Sequence, residues 1–323
     1  MASATLLLPP AARFGGQRVS PDTARWLGRA DRIAAAPGSG APGDGLTRYF
    51  EVLPRGWPAA AVTRQRDAAA DANGLWMRAD PVFVQPDING ARLMSHGDAL
   101  ALDRSDAEAL LPALRPLFGD AGFVLDAPHP ARWYLRVPDG AKLPVTVSPE
   151  QALGEDLFEH LPAGAEGRRW RSLLSEAQIV LHNHPHNARR AAAGLAPVNS
   201  LWFWGAGRLP DQIRTTLDAV LSDDDTLVAF GQAAGASASS LPAVWSAGDG
   251  DRLVDLRGSR DLRELDRDWL APGLSDLAAG QLRSVSLEFP NRGGLYVARR
   301  HRWRFWRRPL LSFITAPADG SAE

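Results

Sequence analysis

The 323-residue chain contains no cysteine, which removes disulfides, thiolate metal sites and cysteine nucleophiles together. Lys142 is the only lysine, so the remaining basic residues are all arginine. A net charge of any size is also missing, with 36 basic residues against 37 acidic ones. No whole-protein attraction to nucleic acid is therefore expected. Long apolar runs are absent as well. Nothing is long enough to span a membrane, and the opening "MASATLLLPPAARF" is too short and too interrupted by proline for a signal peptide. A cytoplasmic protein with no membrane partner is the expectation.

What is present is ordinary globular material: 45% hydrophobic and 23% charged residues, enough to bury a sizeable core. Gly/Pro-rich "AAAPGSGAPGDG" (34–45) reads as a loop, and "GQAAGASASSLPA" (231–243) as a second, surface loop. "PVFVQPDINGARLM" places two apolar runs around Asp87, Asn89 and Gly90, a hairpin pattern. "SDAEALLPALRPLF" opens with Ser105 and Glu108 at capping-box spacing and predicts a helix strained by Pro112 and Pro116. "RWYLRV" (132–137) and "KLPVTV" (142–147) read as strands, and "SPEQALGEDLFEHL" as a helix start at Ser148. Trp170, Leu173, Leu174, Ala177, Leu181 and His184 share one helical stripe. Further on, "DQIRTTLDAVL" has the spacing of an amphipathic helix, while "TLVAFG", "RLVDLR", "SVSLEF" and "GLYVAR" read as short strands. Interleaved strands and helices predict an α/β fold. The expected division is an N-terminal segment and loop over 1–50, an α+β lobe over 51–205, and an α/β C-terminal part over 206–323.

The densest chemistry lies in "VLHNHPHNARRAAAGLAPVNSLWFWGAGRLPD". Pro185 pushes His184 out of helical geometry, so the preceding helix must break there. A short helix over Asn187–Ala193 should then end at Gly194. "NSLWFWGAG" reads as a strand with Trp202 and Trp204 on one face and Leu201 and Phe203 on the other. A metal site on His182, His184 and His186 is disfavoured by the helix break and by the lack of a nearby acid. An anion site fits better: Gly205 and Gly207 offer backbone N–H groups, Arg208 adds charge, and a helix from Asp211 presents its N-terminus. Asp211, as an N-cap, would compete for those donors. A packing role is the alternative, with His184 turned inward and, together with Asn199, satisfying backbone groups freed at the helix break. Arg190 and Arg208 need no burial and are the candidates for touching an anion. The candidate ligand-binding residues are Arg190, Arg208, His184, Asn187 and Asn199, with no metal and no cofactor expected.

A second cluster, "RRHRWRFWRR" (299–308), interleaves six arginines with two tryptophans and a phenylalanine. Such interleaving can bind single-stranded nucleic acid. The near-neutral total charge instead favours an edge strand with Trp303 and Phe305 inward and the arginines paired to acids such as "SDDD" (222–225).

The run His184, Pro185, Asn187, Arg190, Gly194, Pro197, Asn199, Trp202, Trp204, Gly205, Gly207 resembles a signature of archaeal-type, cofactor-independent phosphoglycerate mutases. The whole chain resembles the RpfE-type regulatory proteins still more closely, through "LWMRADPVFVQPD", "LHNHPHN", "NSLWFWGAG" and "WRFWRRPL". The resemblance implies a degenerate alkaline-phosphatase-like α/β scaffold carrying an inserted α+β lobe. Mutases of this kind use two divalent metals held by Asp and His, plus a serine that carries the phosphoryl group. Here the opening lacks their Asp-Gly motif, and no Asp-His pair occurs in the sequence. Ser39 and Asp44 have no recognisable metal partners. The expectation is a non-catalytic regulatory protein whose partner is a phosphorylated metabolite or another protein, with nucleic acid disfavoured. The alternative is a mutase or phosphohydrolase using Asp80, Asp87, His182 and His184.

Overall fold

In the computed structural model the apolar runs from the two ends of the chain meet in one sheet. The structure describes residues 2–35, 43, 45–68, 73–87, 90–144, 146–290 and 293–314. Two units emerge: Met1–Gly40, Asp44–Glu51 and Ile213–Glu323 form the first, and Ala41–Gly43 with Val52–Gln212 form the second.

The first unit is built on a sheet of seven strands. In spatial order they are Ser237–Ser239, Ala219–Leu221, Arg252–Asp255, Ala2–Leu7, Leu282–Phe289, Gly293–Ala298 and Asp31–Ile33. The first five run parallel, and the last two join antiparallel. Leu6, Leu8, Leu27, Val254, Leu274, Leu277, Val285 and Leu287 are among the residues of its core. Parallel strands must be joined by crossovers: the helix Pro21–Gly28 lies between Ala2–Leu7 and the edge strand Asp31–Ile33, Asp225–Ala233 between the neighbours Ala219–Leu221 and Ser237–Ser239, and Ala271–Ala279 between Arg252–Asp255 and Leu282–Phe289. Ser20 caps the first of them with Pro21 at the first helical position, and Gly280 ends the last in left-handed geometry.

The second unit is antiparallel and organised by one long strand, Leu75–Asp87, which pairs with Gly90–His96, Arg132–Val137 and Ser200–Arg208; Val124–His129 adds the edge beside Arg132–Val137. Alternation along these strands separates two faces. Met77, Ala79, Trp133, Leu135, Leu201 and Phe203 face one way, in a core with Leu110, Leu114 and Phe118 of the helix Arg104–Asp120 and Trp170, Leu174 and Ala177 of the helix Gly164–His182. Trp76, Arg78, Asp80, Tyr134 and Trp204 face the other way, where the buried helix Ala59–Asp67 covers them.

Several local expectations hold: the hairpin of Leu75–Asp87 and Gly90–His96, the strand Arg132–Val137, the helix ending at His182, and the strand Ser200–Arg208 with its two faces. Asn89, Ser39 and Asp44 lie outside the described residues. Others are corrected. "DQIRTTLDAVL" forms no helix but two short strands, Gln212–Arg214 and Ala219–Leu221, because its apolar positions suit strand spacing on each side of a turn. "TLVAFG" is helical within Asp225–Ala233; it is buried on nearly every side, so it shows no amphipathic period. Asp224 caps that helix by accepting from Thr226 N and Leu227 N. Residues 142–144 and 146–147 form no strand, as Pro144 offers no N–H to a ladder. The surface loop expected over 231–243 contains an edge strand, Ser237–Ser239. The capping box of Arg104–Asp120 uses Asp103 and Asp106 rather than Ser105 and Glu108.

Candidate functional site

The histidine-asparagine motif of the second unit builds a clamp. His184 does not point inward: it is half-exposed and caps the helix Pro185–Ala192, accepting from His186 N at 3.2 Å. Burial, then the neighbouring His186 and Arg189 charges, hold its pKa below the usual histidine value. The carbonyl freed by the helix break, Leu181 O, is met instead by Asn187, which is buried and also holds Val198, just before the strand Ser200–Arg208. The Asn187 amide nitrogen donates to Leu181 O (2.7 Å) and Val198 O (2.8 Å), and its oxygen accepts from Val198 N at 2.9 Å. Asn199 braces a different place, the irregular register at Phe83/Val84, by bonding Val84 N and O at 2.8 and 2.7 Å.

Arg190 is buried rather than free for solvent. Its guanidinium donates to Ala196 O (3.0 Å), Asp106 Oδ2 (2.7 Å) and Leu100 O (2.6 Å). His186 Nε2 meets the other oxygen of the same carboxylate at 2.6 Å. Asp106 thereby ties three things together: its own helix N-terminus, His186 and Arg190. Burial alone would raise its pKa, but the Asp103 N–H, His186 and Arg190 outweigh burial and hold it below the ordinary range. Arg208 is exposed and pairs with Asp139 at 2.5 Å.

Gly205 and Gly207 seat the helix start. A Cβ at Gly205 would lie 2.8 Å from Ala59 Cβ, and one at Gly207 would run into Pro58. With no helix after Asp211, the expected dipole-assisted anion site is not formed there. Trp204 Nε1 donates to Asp80 Oδ2 (2.6 Å) and Arg78 pairs with Asp80 at 2.7 Å, both under the helix Ala59–Asp67. Arg132 grips Asp67 with two bonds of 2.7 and 2.8 Å, and Tyr134 donates to the same carboxylate. The four residues considered as alternative metal ligands are thus kept apart in role: Asp80 is buried against Arg78, Asp87 pairs with Arg92, His182 is exposed and His184 caps.

A second cluster, missed in the sequence, lies at the carboxyl ends of the parallel strands of the first unit. Ligands of open α/β sheets bind at such ends, where the strand order reverses. The reversal falls at Ala2–Leu7, flanked by Arg252–Asp255 and Leu282–Phe289. Asp255 accepts from Ser222 Oγ (2.7 Å) and from Arg257 Nε and Nη2 (2.7 and 2.6 Å). Arg257 Nη2 also reaches Asp224 Oδ2 at 3.0 Å. On the other side, Glu288 accepts from Tyr49 Oη at 2.6 Å and pairs with Arg48. Burial would raise the Asp255 pKa; Arg257 and the Ser222 hydroxyl overcome it, and the carboxyl sits below its ordinary range. The sequence signal was there in "SDDD" and "DLR", each following an apolar run, but the partner of the "SDDD" segment is Arg257, not the 299–308 cluster.

Two divalent metals would need free carboxylates and histidines at these strand ends. The residues present do not fit them. The central strand ends in buried Leu7 and Leu8. Asp224, Asp255 and Glu288 already face arginines, and Ser222 donates to a carboxylate that is a poor base. Among the described residues no group of three or more His, Asp or Glu is placed to hold a metal ion.

One concave feature of the second unit is cationic. A groove of about 390 Å³ is lined by Arg64, Trp76, Arg115, Phe123, Asp126 and Arg136 among others. Arg64 stacks 3.7 Å over Trp76 and pairs with Asp126 at 2.9 Å, while Arg115 and Arg136 are exposed at its rim.

No model of a known protein family matches the chain. Part of it is similar in sequence to a Geobacter sulfurreducens protein named "Probable 2,3-bisphosphoglycerate-independent phosphoglycerate mutase", at 32% identity over 122 residues, 38% of this chain and 30% of that protein. A Methanosarcina barkeri 2,3-bisphosphoglycerate-independent phosphoglycerate mutase is 37% identical over 92 residues, 27% of this chain and 23% of its own length. The relatives are phosphoglycerate mutases. The chain spans less than a third of their length. Among solved structures, the cofactor-independent phosphoglycerate mutase of Thermoplasma acidophilum aligns over 92% of this chain and 90% of its own, at a TM-score of 0.40 and 13% identity. The matched part of the chain is phosphoglycerate-mutase-like in sequence, and the fold is mixed α/β.

Proposed function

We propose that the chain is a non-catalytic regulatory protein of the RpfE type, built on the phosphoglycerate-mutase-like scaffold. One observation carries the reading: Arg257 occupies both Asp224 and Asp255 at the strand ends, an internal cation where metal-dependent phosphoryl transfer would need free carboxylates. The regulatory ligand is a phosphorylated small molecule. Arg115 and Arg136 are better placed for it than Arg190, whose guanidinium is saturated by the clamp.

The second reading is a working mutase or phosphohydrolase, favoured by the sequence similarity to proteins named as mutases. Incubating the purified protein with 3-phosphoglycerate and manganese, magnesium or zinc separates the two. The expected result is no interconversion with any metal. Metal-dependent turnover that the Asp255→Asn change removes would establish the second reading instead. Thermal shifts with 3-phosphoglycerate should be positive in the wild type and smaller in the Arg115→Ala/Arg136→Ala double variant.

A further inference from the structure

The arginine-aromatic segment is not the edge strand its sequence implies. It forms a 3₁₀ turn, Arg299–Trp303, followed by irregular chain. Trp303 is 65% exposed, Phe305 78% and Trp306 68%, and Leu311 and Ile314 follow at 43% and 49%. Large apolar side chains held in solvent along one short segment mark a contact surface. Among the described residues the rings meet near neighbours: Phe305 meets Trp306 at 5.4 Å and Arg302 lies 4.8 Å from the Trp303 ring.

The backbone beneath them is fixed. Arg304 pairs with Asp31 and donates to Arg29 O. Arg307 donates to Ala30 O at 2.7 Å, Arg29 to Arg302 O at 3.0 Å, and Leu310 N to Ala24 O at 2.9 Å. His301 and Phe313 are buried, the latter against Phe14 and Phe289. Anchoring consumes Arg304 and Arg307 and leaves Arg300, Arg302 and Arg308 exposed beside the rings. The result is a preorganised knob that is apolar and cationic at once.

We propose that this knob, residues 299–314, docks on the surface of an anionic lipid bilayer. Aromatic rings settle at the depth of the headgroups, and arginines beside them meet the lipid phosphates. Leu311 and Ile314 decide between lipid and single-stranded nucleic acid. Bases stack on rings within a groove that tracks the phosphates; aliphatic side chains add nothing to stacking but gain from entering hydrocarbon. A partner of this kind needs no spanning segment, and none of the described helices is long and apolar enough to cross a membrane.

The test is co-sedimentation of the whole protein with vesicles of phosphatidylcholine alone or mixed equally with phosphatidylglycerol. Binding is expected only to the mixed vesicles, weakening as salt rises, with a blue shift of tryptophan emission. Arg300→Gln and Arg302→Gln should each weaken binding on the order of fivefold. The Trp303→Ala/Trp306→Ala double variant should stay in the supernatant while melting at the wild-type temperature, which shows that the loss is not unfolding. The proposal falls if the mixed vesicles do not sediment the wild type at low salt, or if the double variant binds them as well as the wild type. It falls equally if the vesicles fail while the same two tryptophans prove necessary for oligothymidine binding or for self-association in sedimentation velocity.

Discussion

Asn187 saturates three backbone groups with one amide, and Arg190 satisfies two carbonyls and a carboxylate from a buried guanidinium. Both positions are therefore expected to govern stability. Asn187→Ala leaves buried donors and acceptors unpaired and should cost about 1–3 kcal/mol. Arg190→Ala takes the guanidinium from the buried Asp106 carboxylate and leaves Leu100 O and Ala196 O without that donor, and should cost about 3–5 kcal/mol. Arg190→Lys should restore little of this, because an ammonium cannot reproduce the forked geometry. Urea denaturation of the three variants checks the order. Trp303→Ala, by contrast, removes an exposed ring and should change stability by no more than about 0.5 kcal/mol; a core position would have cost several times that.

The strand Ser200–Arg208 shows the same logic over a whole element. Gly205 has φ +63°, and a side chain there meets Ala59 at the start of the helix Ala59–Asp67. Gly205→Ala is expected to lower the melting temperature by lifting that helix from the charged face of the sheet, whereas Ala206→Gly, on the opposite face, should have a smaller effect. Protonation acts on the elements through their terminal groups. Asp106 and Asp255 have folded pKa values below the ordinary carboxylate value of 3.8. Their contribution is complete above 3.8 and is lost as pH falls through the lower folded values. His301 also has its pKa depressed below 6.5, by burial first and then by the Arg304 charge. The unfolded chain therefore takes up that proton first, and stability begins to decline as pH drops below 6.5. The urea midpoint should fall in two stages on acidification, a shallow one starting near 6.5 and a steeper one below 3.8. A midpoint that instead rises between pH 7 and pH 5 would contradict this sign.

For the molecule as a whole, the chain begins in the first unit, builds the second from Val52–Gln212, and returns to finish the first. Each unit keeps charge inside it, but for different ends. The second unit buries Arg78–Asp80 and Arg132–Asp67 under a helix, while the first neutralises the carboxylates at its strand ends with Arg257 and Arg48. Arg257→Ala tests what that neutralisation does. It should leave Asp255 uncompensated and raise its pKa, lowering stability near neutral pH. Divalent manganese should then stabilise the variant more than the wild type, measured as a shift in melting temperature. An equal shift in both proteins would show that Arg257 does not exclude the ion.

The sequence alone determined what depends on near neighbours. Proline after His184 breaks a helix, Gly194 ends the next one, and alternating Trp and Leu/Phe residues divide a strand into two faces, all through local steric and periodic constraints. The likeness to phosphoglycerate mutases was also legible in the sequence. Tertiary structure decided the partners. Asp106 lies 80 and 84 positions from His186 and Arg190, and no spacing rule joins them. Whether Arg190 faces solvent, whether Trp303 is covered, and whether Asp255 meets a metal or an arginine depend on what the folded chain brings alongside. That outcome follows from packing between distant segments, where burial and charge compensation are settled together.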